Sequence, residues 1–193
     1  MTATMSIAGQ LVTGVRGGSR MALDPQSRSV LIQQYGEGPA ALDQAWLELP
    51  EEARQWKPGP DDWSAHEIVV HCADSETYAA VRIRLLASED NPLIVGYDQE
   101  QWARTFAYAN LPVHLAQAAI AAVRANTWHL IQQFNDETWL ASGRHTESGP
   151  YSAEDWLLTY SAHLHEHAEQ IRSNYEQWKI RGEVAMDTDE RET

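Results

Sequence analysis

The sequence predicts an all-α fold, a four-helix bundle, from three observations. Apolar residues recur at spacings of three and four over several turns in four separate segments, the pattern by which a helix buries one face. Glycine and proline are absent from 61–91, 97–111, 113–142 and 151–181, while KPGP at 57–60 and Gly149-Pro150 break the chain. No long stretch alternates with period two, so no sheet larger than a small hairpin is expected.

The elements follow in order. Asp24 and Pro25 give the first helix an N-cap and a proline at its first position, where the missing N–H is no loss. Leu31, Tyr35, Leu42, Trp46 and Leu49 mark its apolar face, and GEGP at 36–39 predicts a kink or a split there. Ser64, with Glu67 three residues on, forms a capping box that opens the second helix. Its inward stripe runs Ile68, His71/Cys72, Ser75, Tyr78/Ala79 and Leu86. Pro112 opens the third helix, with Val113, Ala116, Ile120, Val123, Thr127, Leu130/Ile131 and Phe134 inward. Ser152 caps the fourth, whose stripe is Trp156, Tyr160, His163, His167, Ile171, Asn174 and Trp178. Segment 97–111 predicts a short extra helix in the connection between the second and third. The expected organisation is a flexible extension over 1–21, a bundle domain over 22–181 and a polar, flexible tail over 182–193.

Composition narrows the function. A chain of 193 residues is long enough for one domain with a real core. An apolar fraction of 43%, with eight Trp and seven Tyr, marks a globular sequence. The 28 acidic residues outnumber 14 basic ones, and the formal net charge of −14 repels nucleic acid and anionic membranes. The single Cys72 excludes an internal disulfide and a thiolate zinc cluster, and reads better as a small buried hydrophobe than as a nucleophile. No run approaches the roughly 20 apolar residues of a membrane span. The N-terminus lacks the basic leader and apolar block of a secretory signal. The expectation is a cytoplasmic protein with no nucleic-acid or membrane partner. No Ser-His-Asp spacing, phosphate loop or dinucleotide fingerprint is present.

The chemistry-bearing stretch is HLHEHAEQI at 163–171. His163 and His167, four apart, differ by only about 40° on a helix and share a face. His165 lies about 200° from His163 and is expected to point outward. The His163/His167 pair falls on the inward stripe of the fourth helix, and His71 on that of the second. Each of these has two readings, a core histidine with a hydrogen-bond partner or a metal ligand. Three inward imidazoles around one divalent ion would be satisfied together. His66, His114 and His129 fall off the inward stripes and read as surface residues. His145 lies in the loop at 143–149, near a site mouth if at a site at all.

WSAHEIVVHCADSE (63–76), YDQEQWA (97–103), GPYSAEDWLLTYSAHLHEH (149–167) and AEQI (168–171) together resemble the DinB/YfiT-like superfamily over roughly residues 22–180. The most specific part is a W-S-x-x-E-I-x-x-H stretch followed by H-x-x-x-H-x-x-Q-I. The resemblance implies an up-down-down-up four-helix bundle and a homodimer. It also implies one divalent transition metal, zinc, nickel or similar, held by His71, His163 and His167. Gln170 matches the family's glutamine in a supporting role. Glu67, one turn before His71, is a second supporting candidate, although the capping box accounts for it equally well. The implied activity is that of a metal-dependent enzyme, a thiol-dependent transferase or a hydrolase in detoxification or stress response. Its substrate would be a small molecule, with a low-molecular-weight thiol as partner or a metal-bound water as nucleophile. The alternatives are a non-catalytic metal-binding dimer whose ion stabilises the bundle, and a metal-free bundle with three ordinary core histidines.

Overall fold

The computed structural model describes residues 22–189, so the expected N-terminal extension lies outside the described residues. Among these the order is α1 (Pro25–Leu47), α2 (Ala65–Ser88), β1 (Leu93–Ile94), α3 (Gln99–Thr105), α4 (Val113–Ile131), α5 (Asp136–Leu140), β2 (Ser142–His145), β3 (Gly149–Ser152) and α6 (Ala153–Asp189). Single 3-10 turns lie at Glu51–Ala53 and Tyr108–Asn110. The backbone is helical to Asp189, past the boundary expected at 182, since no proline stops it.

The four long helices α1, α2, α4 and α6 form a bundle in which α1 packs on α6 and α4, and α2 on α4 and α6. Arg28 of α1 pairs with Glu154 of α6 at 2.9 Å, and Glu48 just past α1 pairs with Arg172 at 2.9 Å, so α1 and α6 run parallel. Going along α2 the contacts run backwards on α6. Asn174 donates to the Trp63 carbonyl before α2, while the Trp156 indole donates to the Ala79 carbonyl. Gln117 meets Asp43 and Trp128 meets Ile32, so α4 opposes α1. The course is up-down-down-up, and α3 is the short extra helix before α4.

The caps form as their residues dictate. Asp24 accepts from the N–H groups of Gln26 and Ser27, and Ser64 and Glu67 close the capping box of α2. Of the kink or split expected at GEGP, the split does not occur: α1 runs through as one helix with Pro39 inside it. Pro39 has no N–H for the Tyr35 carbonyl. Arg124 Nη1 donates to that carbonyl at 2.7 Å and so fills the gap. The glycines of the same stretch allow α4 and α6 to come close. A Cβ on Gly36 would lie 2.7 Å from the Trp128 indole nitrogen, and one on Gly38 3.1 Å from Leu164 Cβ.

A small sheet closes one end of the bundle. β2 and β3 form an antiparallel hairpin, and β1 adds to β2 in parallel. Alternation along β2 turns His145 inward, where it is buried.

The interior has two apolar clusters. One gathers Trp46, Ile68, Leu164 and Ile171 among others, and the second Tyr35, Ile83, Trp139, Trp156 and Leu157. Fully burying each aliphatic is worth about 1.5–3 kcal/mol. Between the clusters lies a polar layer built from Ser75 and Glu76 of α2, Arg124 of α4 and His163 of α6, all buried. Among the described residues no helix is long and apolar enough to cross a membrane.

Candidate metal centre

The three expected histidines come together. His71 on α2 and His163 and His167 on α6 are buried, at 1%, 4% and 6% exposure. Their ring centroids are 4.7 Å (His163–His167), 5.0 Å (His71–His167) and 5.7 Å (His71–His163) apart. One nitrogen from each ring lies within 4.8 Å of the other two. The i, i+4 spacing on α6 and the crossing of α2 opposite it produce this convergence.

Each α6 imidazole is oriented from behind. His163 Nδ1 is 2.7 Å from Glu76 Oε1. Burial alone would raise the Glu76 carboxyl, but the Arg124 charge and the His163 contact bring it below its ordinary value, so it is ionised and only accepts. His163 Nδ1 therefore donates to Glu76, and Nε2 is the nitrogen left free of the carboxylate. Ser75 Oγ stands 3.3 Å from that Nε2. His167 Nδ1 donates to Gln170 Oε1 at 2.8 Å, which leaves its own Nε2 as an acceptor. The Trp63 ring stands 4.6 Å from the His71 ring, and the Asn174 bond to its carbonyl fixes it there.

The cluster is incomplete as a protein-only structure. His71 Nδ1 and Nε2 and His167 Nε2 are buried without any hydrogen-bond partner. Such an atom costs about 1–3 kcal/mol. Burial, reinforced by the neighbouring imidazoles, holds His71 well below its ordinary value and His167 down to about 3. Both rings are thus neutral, with free lone pairs, the state a metal ion requires. Three imidazole nitrogens, two of them oriented by a carboxylate and an amide, fit a borderline divalent ion such as zinc or nickel.

Other sequence candidates divide. Gln170 touches His167 as expected. Glu67 accepts from Ser64 N at 2.9 Å and Ser64 Oγ at 3.0 Å, and pairs with Lys57 at 2.8 Å, so its carboxylate serves the helix start rather than an imidazole. Cys72 is fully buried and burial pushes its thiol well up, which makes it a packing residue. His114 and His129 are exposed, and His66 donates from Nε2 to the Leu111 carbonyl and accepts at Nδ1 from the Gln55 amide, outside the core. His165 does not point to solvent. It is part-buried, with Nε2 3.0 Å from the Gln34 carbonyl, because α1 packs against that flank of α6.

Sequence reasoning missed Glu76 and Arg124. Arg124 Nε and Nη2 bond both Glu76 oxygens at 2.5 and 2.7 Å, and Nη2 also reaches the Tyr160 carbonyl at 2.8 Å. One signal existed. Arg124 is the sole Lys or Arg between residues 105 and 143, in the middle of an apolar helix. A cavity of about 110 Å³ opens beside the cluster, with His163 and Ser75 in its wall and His145 and Arg82 among its other lining residues.

Known proteins agree with this architecture. The family model of the DinB superfamily matches residues 34–171. "Putative metal-dependent hydrolase OB0782" of Oceanobacillus iheyensis is 27% identical over 142 residues, 74% of this chain and 82% of that protein. "Putative metal-dependent hydrolase BH0277" of Halalkalibacterium halodurans is 21% identical over 126 residues, 65% of this chain and 70% of that protein. Among solved structures, YfiT from Bacillus subtilis, described as a probable metal-dependent hydrolase with an unusual four-helix bundle topology, aligns with a TM-score of 0.77. It shares 21% identity, and the match covers 84% of this chain and 94% of that one.

Proposed function

The chain belongs to the DinB superfamily, and from that premise we propose that it is a metal-dependent hydrolase of small molecules, with one divalent ion held by His71, His163 and His167. The observation that carries this reading is the set of orphaned nitrogens. Three buried nitrogens of His71 and His167 have no protein partner, and one lone pair from each of these rings converges with the His163 ring. The names of the relatives support the reaction class.

An ion with three imidazole ligands and an open position supplies Lewis acidity and makes water a nucleophile near neutral pH. The chain's own residues do the rest. Glu76 fixes the tautomer and ring plane of His163 and strengthens it as a donor, and Arg124 keeps Glu76 ionised. Gln170 does the same for His167 without adding charge. Trp63 covers His71 and excludes water from that side. Among the described residues the three histidines are joined by no fourth His, Cys, Asp or Glu ligand. That favours an open, catalytic site over a closed, structural one.

The test is turnover. Zinc- and nickel-loaded protein is assayed against small esters, amides and phosphoesters, with and without a low-molecular-weight thiol, beside chelated protein and His167→Ala. Hydrolysis without thiol is expected, abolished both by chelation and by His167→Ala. Turnover only with thiol would replace hydrolysis by thiol transfer at the same ion. Metal bound without any turnover would leave the stabilising ion of a non-catalytic bundle.

A further inference from the structure

Arg82 lies seven residues after Ser75 on α2, two turns along the same face and about 10 Å away by helix rise. It is only 9% exposed. Its Nη1 donates to Tyr160 Oη at 3.0 Å and its Nη2 to the Val95 carbonyl at 2.7 Å. The Nε–H is buried and has no partner. No carboxylate pairs with Arg82 among the described residues, whereas the other two buried arginines have theirs. Arg28 pairs with Asp136 and Glu154, and Arg124 with Glu76. A guanidinium cannot shed its charge, and that of Arg82 is met by the Tyr78 face at 4.7 Å and by neutral acceptors but by no anion among the described residues.

The Arg82 side chain lines the 110 Å³ cavity that also has Ser75 and His163 in its wall. Tyr97, Tyr151, Tyr160 and His145 contribute to the same lining, with Glu147 at its exposed side. Burial holds the Tyr97, Tyr151 and Tyr160 phenols above their ordinary range, so they remain hydroxyl donors. His145 Nδ1 accepts from the Glu147 N–H at 3.3 Å, which puts the ring proton on Nε2. The wall thus offers N–H and O–H donors around one fixed positive charge. An engineered cavity of about 150 Å³ holds benzene, so this one suits roughly four to six heavy atoms.

We infer that Arg82 is the anchor for the carboxylate of a compact organic acid, which it holds in this cavity with the reacting end of the molecule directed at His163. Two of the five Arg82 N–H groups are bonded, to Tyr160 Oη and the Val95 carbonyl, and the remaining planar donor edge with the nearby hydroxyls matches the coplanar oxygens of a carboxylate better than the tetrahedral set of a phosphate. The inference rests on the metal-site reading for its reaction but not for its binding. Arg82 is the specificity residue of the site, and acids of two to four carbons are the substrate class.

Calorimetric titration of the full chain, as purified and after chelation, tests this with acetate and propionate against acetamide, propionamide and inorganic phosphate. The acids are expected to bind at least about tenfold more tightly than their amides or phosphate. Arg82→Lys is expected to weaken the acids by about tenfold, since it keeps the charge and loses the planar fork. Arg82→Gln should abolish the preference. If it does not fold, the acid–amide comparison on the wild type, with the Arg82 Nε resonance of ¹⁵N-arginine-labelled protein as local readout, decides instead. Amides binding as well as acids, phosphate binding better, or an Arg82→Lys protein with unchanged preference would overturn the assignment. His167→Ala separates the two readings. It should lose the metal and keep acid binding, whereas a wild type that binds acids but takes up no metal refutes the hydrolase and not the anchor.

Discussion

Two buried polar groups stand side by side in the same interior and differ in one respect. Around Arg124 and Glu76 the strong donors and acceptors find each other. The guanidinium binds both carboxylate oxygens and the carbonyls of Tyr35 and Tyr160, and Glu76 also takes the His163 N–H. A turn away, His71 has two buried nitrogens and His167 one with nothing to bind. The first group is finished by the protein and is structural. The second is left open by the protein. His163 belongs to both, tied by Nδ1 to the complete group and offering Nε2 to the open one. The lesson is that burial of polar residues does not by itself mark a site; unmet valence at a common point does.

That contrast can be broken or sharpened by substitution and by metal. The largest effect is expected at Arg124→Met, which strands the Glu76 carboxylate and two backbone carbonyls in the core. It should cost about 3–5 kcal/mol in urea unfolding of the metal-free protein. Next comes the metal itself. Zinc at a hundred times its Kd should stabilise the wild type by about 2.7 kcal/mol in the same assay, and should leave His71→Ala unmoved. Gln170→Leu removes the partner of His167 Nδ1 and should weaken metal binding by about 10–100-fold while the metal-free stability changes little. Ser64→Ala should cost about 1 kcal/mol through the α2 capping box with metal affinity unchanged, because Glu67 and Ser64 serve the helix start. The smallest effect is expected at His71→Leu without metal. It replaces an unsatisfied imidazole by an apolar side chain of similar size and should fall within about 1 kcal/mol of wild type or be more stable.

Much of this was legible in the sequence. Spacing, caps and breakers gave the four long helices, and the i, i+4 pair gave His163 and His167 one face. What stayed hidden depends on partners from other helices. The isolated Arg124 in an apolar helix gives a hint and Glu76 gives none, and only their bidentate contact makes either tolerable inside. Pro39 reads as a break because its effect on the helix is local, while its remedy, Arg124 on the Tyr35 carbonyl, comes from 89 residues away in sequence. His165 reads as outward if α6 is given one buried face, but α6 meets α1 on one flank and α2 on another. Arg82 gave no sequence signal at all, since an arginine on an amphipathic helix is ordinarily at the solvent edge.

The central claim is that His71, His163 and His167 hold one ion. Elemental analysis of untagged protein, for the wild type, His71→Ala, His163→Ala and the nearby His165→Ala, tests it most directly. Close to one equivalent of a divalent transition metal is expected in the wild type and in His165→Ala, and its loss from both other variants. A folded wild type that stays metal-free after exposure to zinc and nickel, or equal metal in all four proteins, would contradict it.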